Sequence, residues 1–254
     1  MDGINENIVI KLGGSVITHK DHALTLRSDA VDALSEVLSK HRSHKIIVHG
    51  GGSFGHYYAK KAGLSTNCRL ADTKDAFLTR NSMFTLNRHI VKSLHAHGIQ
   101  PYVVTPFIYN KRSNAIQSLI LKLLTQGFTP LFFGDVIPCE NGLKIISGDD
   151  ISYQICSIIK PSRMIFCIDV DGIYASPTME GSIIEEFDRE MLKVFIGHNL
   201  NVDVTGGIVR KLQIATEISN LGVDVYLVNG LKPEIVFKAL NGVRGIGTCI
   251  KGMK

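Results

Sequence analysis

A chain of 254 residues with 44% hydrophobic content can bury a large core, and a charged fraction of 20% excludes a disordered or tail-like polymer. The net charge of +5 suits anionic small ligands but is too weak to require nucleic acid, and no zinc-finger, RRM or basic-stripe pattern accompanies it. No apolar run approaches the ~18 residues of a membrane span, Ser118–Leu124 being broken by Lys122, and the N-terminus has neither a basic n-region nor a long h-region. A cytoplasmic protein with no membrane partner is therefore expected.

In chain order, the first predicted strand is Ile8–Lys11, followed by Gly13-Gly14-Ser15 and an amphipathic helix carrying Val31, Leu34 and Leu38. Lys45–His49 is the second strand, and Gly50-Gly51-Gly52-Ser53-Phe54-Gly55-His56 follows it. Ile90 and Leu94 mark a further helix. Strands at Pro101–Val104 and Thr129–Phe133 come next. Asn141-Gly142 then predicts a β-hairpin turn within Pro138–Lys144. Ser147-Gly148-Asp149-Asp150 opens a helix with Ile151, Ile155 and Ile158; Arg163–Asp169 and Asp224–Val228 are later strands, separated by a helix holding Ile214 and Ile218. Several strands are continuous Val/Ile/Leu/Phe runs, as buried parallel strands are. The order predicts a three-layer αβα sandwich with an open, mainly parallel central sheet and an inserted β-hairpin. No Pro/Ser linker occurs, so a division near residue 160 separates lobes 1–160 and 161–254 on one continuous sheet.

Cys68, Cys139, Cys156, Cys167 and Cys249 are an odd, dispersed set without a CxxC pair, which predicts reduced thiols and neither a disulfide framework nor a zinc site.

The two glycine-rich loops follow successive strands. Glycine lets backbone N–H groups approach a phosphate, and a helix N-terminus favours its charge. Gly50, Gly52 and Gly55 also satisfy G-x-G-x-x-G, with Asp72 about 20 residues on, which makes a dinucleotide-binding oxidoreductase formally available. Against it stand the second βα unit as its location, the separate Gly-Gly-Ser loop, and the lysines. A Walker A sequence is absent. Lys11 interrupts an apolar strand just before glycines, Lys20 follows the first loop, and Lys211 follows Asp203-Val204-Thr205-Gly206-Gly207. Transfer between two phosphates needs such cations aimed at the transferred oxygens. Asp149 and Asp150 read either as an acidic helix start or as an anion between lysines. Asp169-Val170-Asp171-Gly172-Ile173-Tyr174 closes a strand at its carboxyl end, where open α/β sheets bind ligands. His49 reads as a packed core residue; His56 starts the helix behind the glycines, able to face the same anion.

Lys-Leu-Gly-Gly-Ser, Gly-Gly-Gly-Ser-Phe-Gly-His, Gly134-Asp135-Val136, Ser-Gly-Asp-Asp, Asp-Val-Asp-Gly-Ile-Tyr and Asp-Val-Thr-Gly-Gly-x-x-x-Lys stand here in the order of the amino-acid kinase superfamily, which the chain resembles from residue 8 to 211. Gly245-Ile246-Gly247-Thr248 resembles that family's closing strand. His56 is similar to a mark of its isopentenyl phosphate kinase and fosfomycin kinase branches, and the Ser-Gly-Asp-Asp and Asp-Val-Thr-Gly-Gly elements resemble the former. The resemblance implies an ATP-dependent kinase in which Lys11, Gly13, Gly14 and Ser15, with Gly52, Gly207 and Lys211, hold the β/γ-phosphates. Lys20 would stabilise the transferring group, and Asp150 would orient the lysines. Gly51 and His56 would grip the acceptor phosphate, with Gly148 near it, and Asp169, Asp171 and Tyr174 would lie near the nucleotide. It further implies Mg²⁺ with the ATP, a homodimer, an acceptor-binding lobe at 1–160 and a nucleotide-binding lobe at 161–254.

The acceptor's tail needs apolar surface, for which Phe77, Met83, Phe84 and Leu86 are candidates. Two further readings remain beside the kinase of a prenyl phosphate: a fosfomycin-type phosphonate kinase, and a non-catalytic anion- or nucleotide-binding protein.

Overall fold

The structure is a computed structural model that describes residues 6–105, 113–175, 181–193 and 206–253; the Asp203-Val204-Thr205 part of the last motif lies outside them. Seven strands form one sheet in the order β3-β4-β2-β1-β7-β8-β9, comprising β1 (Asn7–Leu12), β2 (His44–His49), β3 (Pro101–Val103), β4 (Thr129–Phe133), β7 (Arg163–Ile168), β8 (Asp224–Asn229) and β9 (Thr248–Ile250). All neighbours are parallel except β9, which runs antiparallel to β8. β1 is central, hydrogen-bonded on one side to β2 and on the other to β7, and every residue from Ile8 to Leu12 is buried. Burial on both faces is why these strands read as unbroken apolar runs.

Alternation along β1 sends Val9 into one core and Ile8, Ile10 and Leu12 into the other. The first core is covered by α5 (Ser113–Thr125), α6 (Gly148–Ile159) and α7 (Gly206–Ser219). The second is covered by α2 (Ser28–Lys40), α4 (Thr73–Ala96) and α8 (Pro233–Leu240), with the short α1 (Gly14–Ile17) and Phe54 of α3 (Gly52–Lys61) at its upper end. Lys11 is two residues past Val9, so its side chain follows Val9 to the α6/α7 side. That parity decides which carboxylate it meets.

β5 (Asp135–Cys139) and β6 (Gly142–Ile146) form the expected antiparallel hairpin around Asn141-Gly142. The stretch before α4 pairs with it: Arg69 and Leu143 exchange backbone hydrogen bonds of 3.1 and 2.8 Å, and Ile145 N donates to Ser65 O. This bridged segment brings Cys68 to the hairpin tip, where it forms a disulfide with Cys139 across a Cα–Cα distance of 6.0 Å. The expectation of five reduced thiols is thus corrected. A sequence separation of 71 hides a pair that only the Arg69–Leu143 bridge brings together. Cys156, Cys167 and Cys249 are buried free thiols, and burial pushes Cys167 up to about 12.

Asp72 caps α4, accepting from the backbone N–H of Lys74 and Asp75. It is not poised beside a ribose, and Gly55 lies inside α3, so the dinucleotide reading loses its acidic partner and its third loop glycine. Among the tail candidates, Met83 and Leu86 are buried while Phe77 and Phe84 are 64% and 38% exposed. Leu86 packs into the core beneath the sheet; Met83 faces the glycines of α3, its sulfur 3.0 Å from where a Cβ on Gly51 would lie.

Candidate active site

The two glycine loops form one continuous backbone surface at the carboxyl ends of β1 and β2. Gly13 N donates to Cys167 O (3.0 Å) and Gly50 N to Leu12 O (2.9 Å), so each loop is tied to the neighbouring strand. A Cβ on Gly50 would sit 2.8 Å from Gly14 N, and one on Gly14 would strike the Gly52 backbone. Gly52 also takes φ +48°, a conformation that side chains resist. Thr18, fully buried, joins the loops: its Oγ1 donates to Gly14 O (2.7 Å) and accepts from Ser53 N (2.9 Å). Close approach of two backbones, rather than turn geometry alone, is what requires glycine here.

Beneath this surface lies the charge centre. Lys11 Nζ reaches Asp149 Oδ1 at 2.6 Å, and Lys211 Nζ reaches the same oxygen at 3.0 Å. Both ammonium groups lie over the Phe166 ring, 5.9 and 5.4 Å from its centroid. Gly148 is packed so closely that a Cβ there would lie 3.1 Å from Lys11 Cε and from His49 O. Burial lowers the Lys11 ammonium to about 8, with Asp149 opposing the shift and Lys211 adding to it. Burial disfavours ionisation of Asp149 as well, but the two lysines overcome it and hold the carboxyl well below the usual range.

Asp150 was the expected partner of the lysines; Asp149 takes that place. Asp150 is the third helical residue of α6 and completes a capping box: Ser147 Oγ accepts from Asp150 N, while Asp150 Oδ2 accepts from Ser147 Oγ and Ser147 N. Its other oxygen accepts from Arg210 Nη2 at 2.9 Å. The cap points one carboxylate back along the chain and leaves its predecessor facing the sheet.

A second carboxylate organises the first loop. Asp169, just past β7, pairs with Lys20 Nζ at 2.5 Å and accepts from Ser15 Oγ at 2.8 Å. Despite partial burial, these contacts hold its pKa below the ordinary value. Gly207 sits open to solvent in the first turn of α7, one turn before Lys211. Asp171 and Tyr174 stand apart beside β8, where Asp171 accepts from Lys232 Nζ (2.6 Å) and Asn229 Nδ2 (2.9 Å). Lys232 chiefly, with Asn229, lowers the Asp171 pKa. His56 lies in the first turns of α3 with part of its surface exposed, and desolvation by the surrounding chain together with the Lys11 charge keeps its pKa below the ordinary value. Its ring is therefore neutral at pH 7 and carries one N–H.

Most of the expected residues thus fall into three groups: the loops with Lys11, Gly148 and Lys211; Ser15, Lys20 and Asp169; and Asp171 with Tyr174; Asp150 turns to Arg210, and His56 and Gly207 are exposed. Thr18, Asn229, Lys232 and Arg210 were not foreseen. A hydroxyl joining loops 35 residues apart leaves no local pattern, whereas Lys232, just past the carboxyl end of β8, stands where open α/β sheets bind ligands.

Such a site, two backbone anion cradles over lysines on a parallel sheet, belongs to a class of phosphoryl-transfer folds. A family model described as "Amino acid kinase family" matches residues 6–229, and the chain belongs to that family. An isopentenyl phosphate kinase of Methanothermobacter thermautotrophicus is 32% identical over 96% of this chain and 99% of its own. One from Arabidopsis thaliana is 31% identical over 84% of this chain and 72% of its own. The crystal structure of the Thermoplasma acidophilum isopentenyl phosphate kinase product complex superposes with a TM-score of 0.80 at 28% identity, covering 96% of this chain and 99% of that one.

Proposed function

We propose that this protein transfers the γ-phosphoryl group of ATP to isopentenyl phosphate, giving isopentenyl diphosphate and ADP. The observation that carries this reading is the Lys11–Asp149–Lys211 centre under two fused glycine loops, in a chain whose relatives carry that activity. An acceptor phosphomonoester has a second pKa near 6 and is already an anionic nucleophile at neutral pH, so no general base is needed. The work is to bring two mutually repelling phosphates into line.

In this reading Lys11, Gly13, Gly14, Ser15, Gly52, Gly207 and Lys211 hold the β/γ-phosphates, and Asp149 keeps the two ammoniums side by side against their repulsion. Lys20 leaves Asp169 to follow the moving group. Gly51 offers its N–H to the acceptor phosphate, His56 donates its single N–H to the same anion, and Gly148 keeps space between them. Asp169, Asp171 and Tyr174 border the nucleotide. The lobes divide accordingly, acceptor on 1–160 and nucleotide on 161–254.

Mg²⁺ fits as a passenger of the triphosphate. Among the described residues no three His, Cys, Asp or Glu side chains are grouped to hold a metal, and Asp149 and Asp169 are engaged by lysines. Its ligands would be phosphate oxygens and water, as is usual for this ion, and when bound it neutralises part of the phosphate charge. A homodimer working in the cytoplasm completes the proposal, supported by the superfamily resemblance and by ATP as donor. No helix among the described residues is long and apolar enough to cross a membrane.

The test is ADP release from Mg-ATP with isopentenyl phosphate, dimethylallyl phosphate, fosfomycin and no acceptor in parallel. Release that depends on a prenyl phosphate is expected. Release with fosfomycin alone, or equal release without acceptor, would replace the proposed acceptor.

A further inference from the structure

His49, the last residue of β2, is completely buried directly before the second glycine loop. Its ring lies parallel to Phe133, centroids 5.3 Å apart with 9° between planes. Nδ1 is 3.0 Å from Gly50 O, and Nε2 is 3.1 Å from the side-chain amide of Asn87, a buried residue of α4. Both ring nitrogens are thus in hydrogen-bond contact, yet a neutral imidazole has one N–H.

Gly50 O can only accept. A ring protonated at Nε2 would oppose the Nδ1 lone pair to that carbonyl oxygen, and a doubly protonated ring is disfavoured because burial pushes the pKa down to about 4. The remaining arrangement protonates Nδ1 and leaves Nε2 as acceptor. The Asn87 amide then donates from Nδ2, a half-turn that exchanges its nearly isosteric oxygen and nitrogen.

We propose that His49 and Asn87 are a positioning pair for the acceptor-phosphate loop. Asn87 holds the tautomer, the Nδ1–H holds the Gly50 carbonyl, and the fixed Gly50 peptide orients the Gly51 N–H toward the acceptor phosphate. Two further contacts make the device local to that loop. Met83, one turn before Asn87 on α4, places its sulfur against Gly51 and Gly55. His49 O lies 3.1 Å from where a Cβ on Gly148 would be, so the same residue also borders the glycine assigned to the acceptor side. α4 therefore grips the acceptor loop at Met83 and, through His49, at Asn87. The first loop has its own anchor, Gly13 N donating to Cys167 O of β7, which neither His49 nor Asn87 contacts. His49 itself never meets substrate.

This inference rests on the acceptor assignment above, and the experiment separates the two. The full chain is compared with His49→Leu, His49→Gln and Asn87→Leu. With isopentenyl phosphate and ATP, His49→Leu and Asn87→Leu should raise the acceptor KM about tenfold, the effect of one lost hydrogen bond, and leave the ATP KM within about twofold. His49→Gln keeps a donor toward Gly50 and should recover most of the loss. Two-bond ¹H–¹⁵N spectra of the wild-type chain should show His49 protonated at Nδ1. An Nε2–H tautomer, equal changes in both KM values, or an unchanged acceptor KM would overturn the proposal. If the wild-type chain does not use isopentenyl phosphate, the acceptor assignment fails by itself. The pair is then judged by titrating inorganic phosphate against the Gly51 amide signal: weaker binding by about tenfold in Asn87→Leu supports it, and unchanged binding overturns it.

Discussion

Asp149 and Asp150 are adjacent, and their environments assign them different work. Asp149 is the shared counter-ion of Lys11 and Lys211, whereas Asp150 closes the α6 capping box and pairs with the exposed Arg210. Lys11 carries its charge below about pH 8 in the free protein and loses it above. A neutral amine cannot stabilise the transferring phosphoryl group, so kcat/KM for ATP should fall as pH rises through about 8. Asp149 raises the Lys11 pKa; Asp149→Asn should therefore move this alkaline limb to lower pH. Asp150→Asn should leave the limb in place and cost less than about 1 kcal/mol of stability, because Ser147 still caps α6 and the amide keeps an oxygen that can accept from it. A pH–rate profile of the three proteins checks both statements.

On the proposed mechanism Lys20 acts in the transition state and His56 in acceptor binding. Lys20 is paired at rest with Asp169 and would act on leaving it to follow the moving group, so Lys20→Ala should lower kcat by about 10²–10³ with modest changes in KM. A raised ATP KM with intact kcat would make it a ground-state ligand instead. His56→Ala should raise the acceptor KM far more than the ATP KM, by about 10–100-fold, the range for one hydrogen bond to a charged group. His56→Gln should restore part of it, since a neutral donor remains. Steady-state kinetics with each substrate varied in turn decide both.

The hairpin β5–β6 is the element whose attachments matter most. Its first residue, Asp135, is buried, accepting from Val136 N at 2.8 Å with the half-exposed Arg80 at 3.4 Å; burial outweighs both and raises its pKa to about 6. The folded state then binds this proton more tightly than the unfolded chain, so the residue's stability contribution is fully present below about pH 4 and lost as pH rises through about 6. Asp135→Asn should accordingly raise Tm at pH 8, with the gain shrinking to nothing near pH 4. The hairpin's other end is stapled by Cys68–Cys139. Opening that bond should cost about 2–4 kcal/mol, and Cys68→Ser should lower Tm as much as a reductant does, the two effects not adding.

At the scale of the whole molecule, the sheet was legible because its central strands are buried on both faces. Ile8–Lys11, Lys45–His49 and Arg163–Asp169 match β1, β2 and β7 to within one or two residues, and Asn141-Gly142 announced its hairpin. The glycine loops and lysines were legible because a cation breaking an apolar strand before glycines has few structural reasons to be there. What escaped was long-range side-chain partnership. Nothing local distinguishes Asp149 from Asp150 until the cap claims one of them, and Thr18 is an ordinary threonine until two loops close over it. Cys68 and Cys139 looked like members of a dispersed set because their proximity depends on the Arg69–Leu143 bridge, which no spacing records.

The central claim is that this site joins a phosphoryl group to a phosphate. ³¹P NMR of a mixture of the protein, Mg-ATP and isopentenyl phosphate tests it without coupling enzymes. The account predicts that the acceptor's phosphomonoester singlet is replaced by two mutually coupled doublets of a diphosphate, in step with the appearance of ADP. An unchanged singlet while ATP is converted to ADP and inorganic phosphate would contradict it.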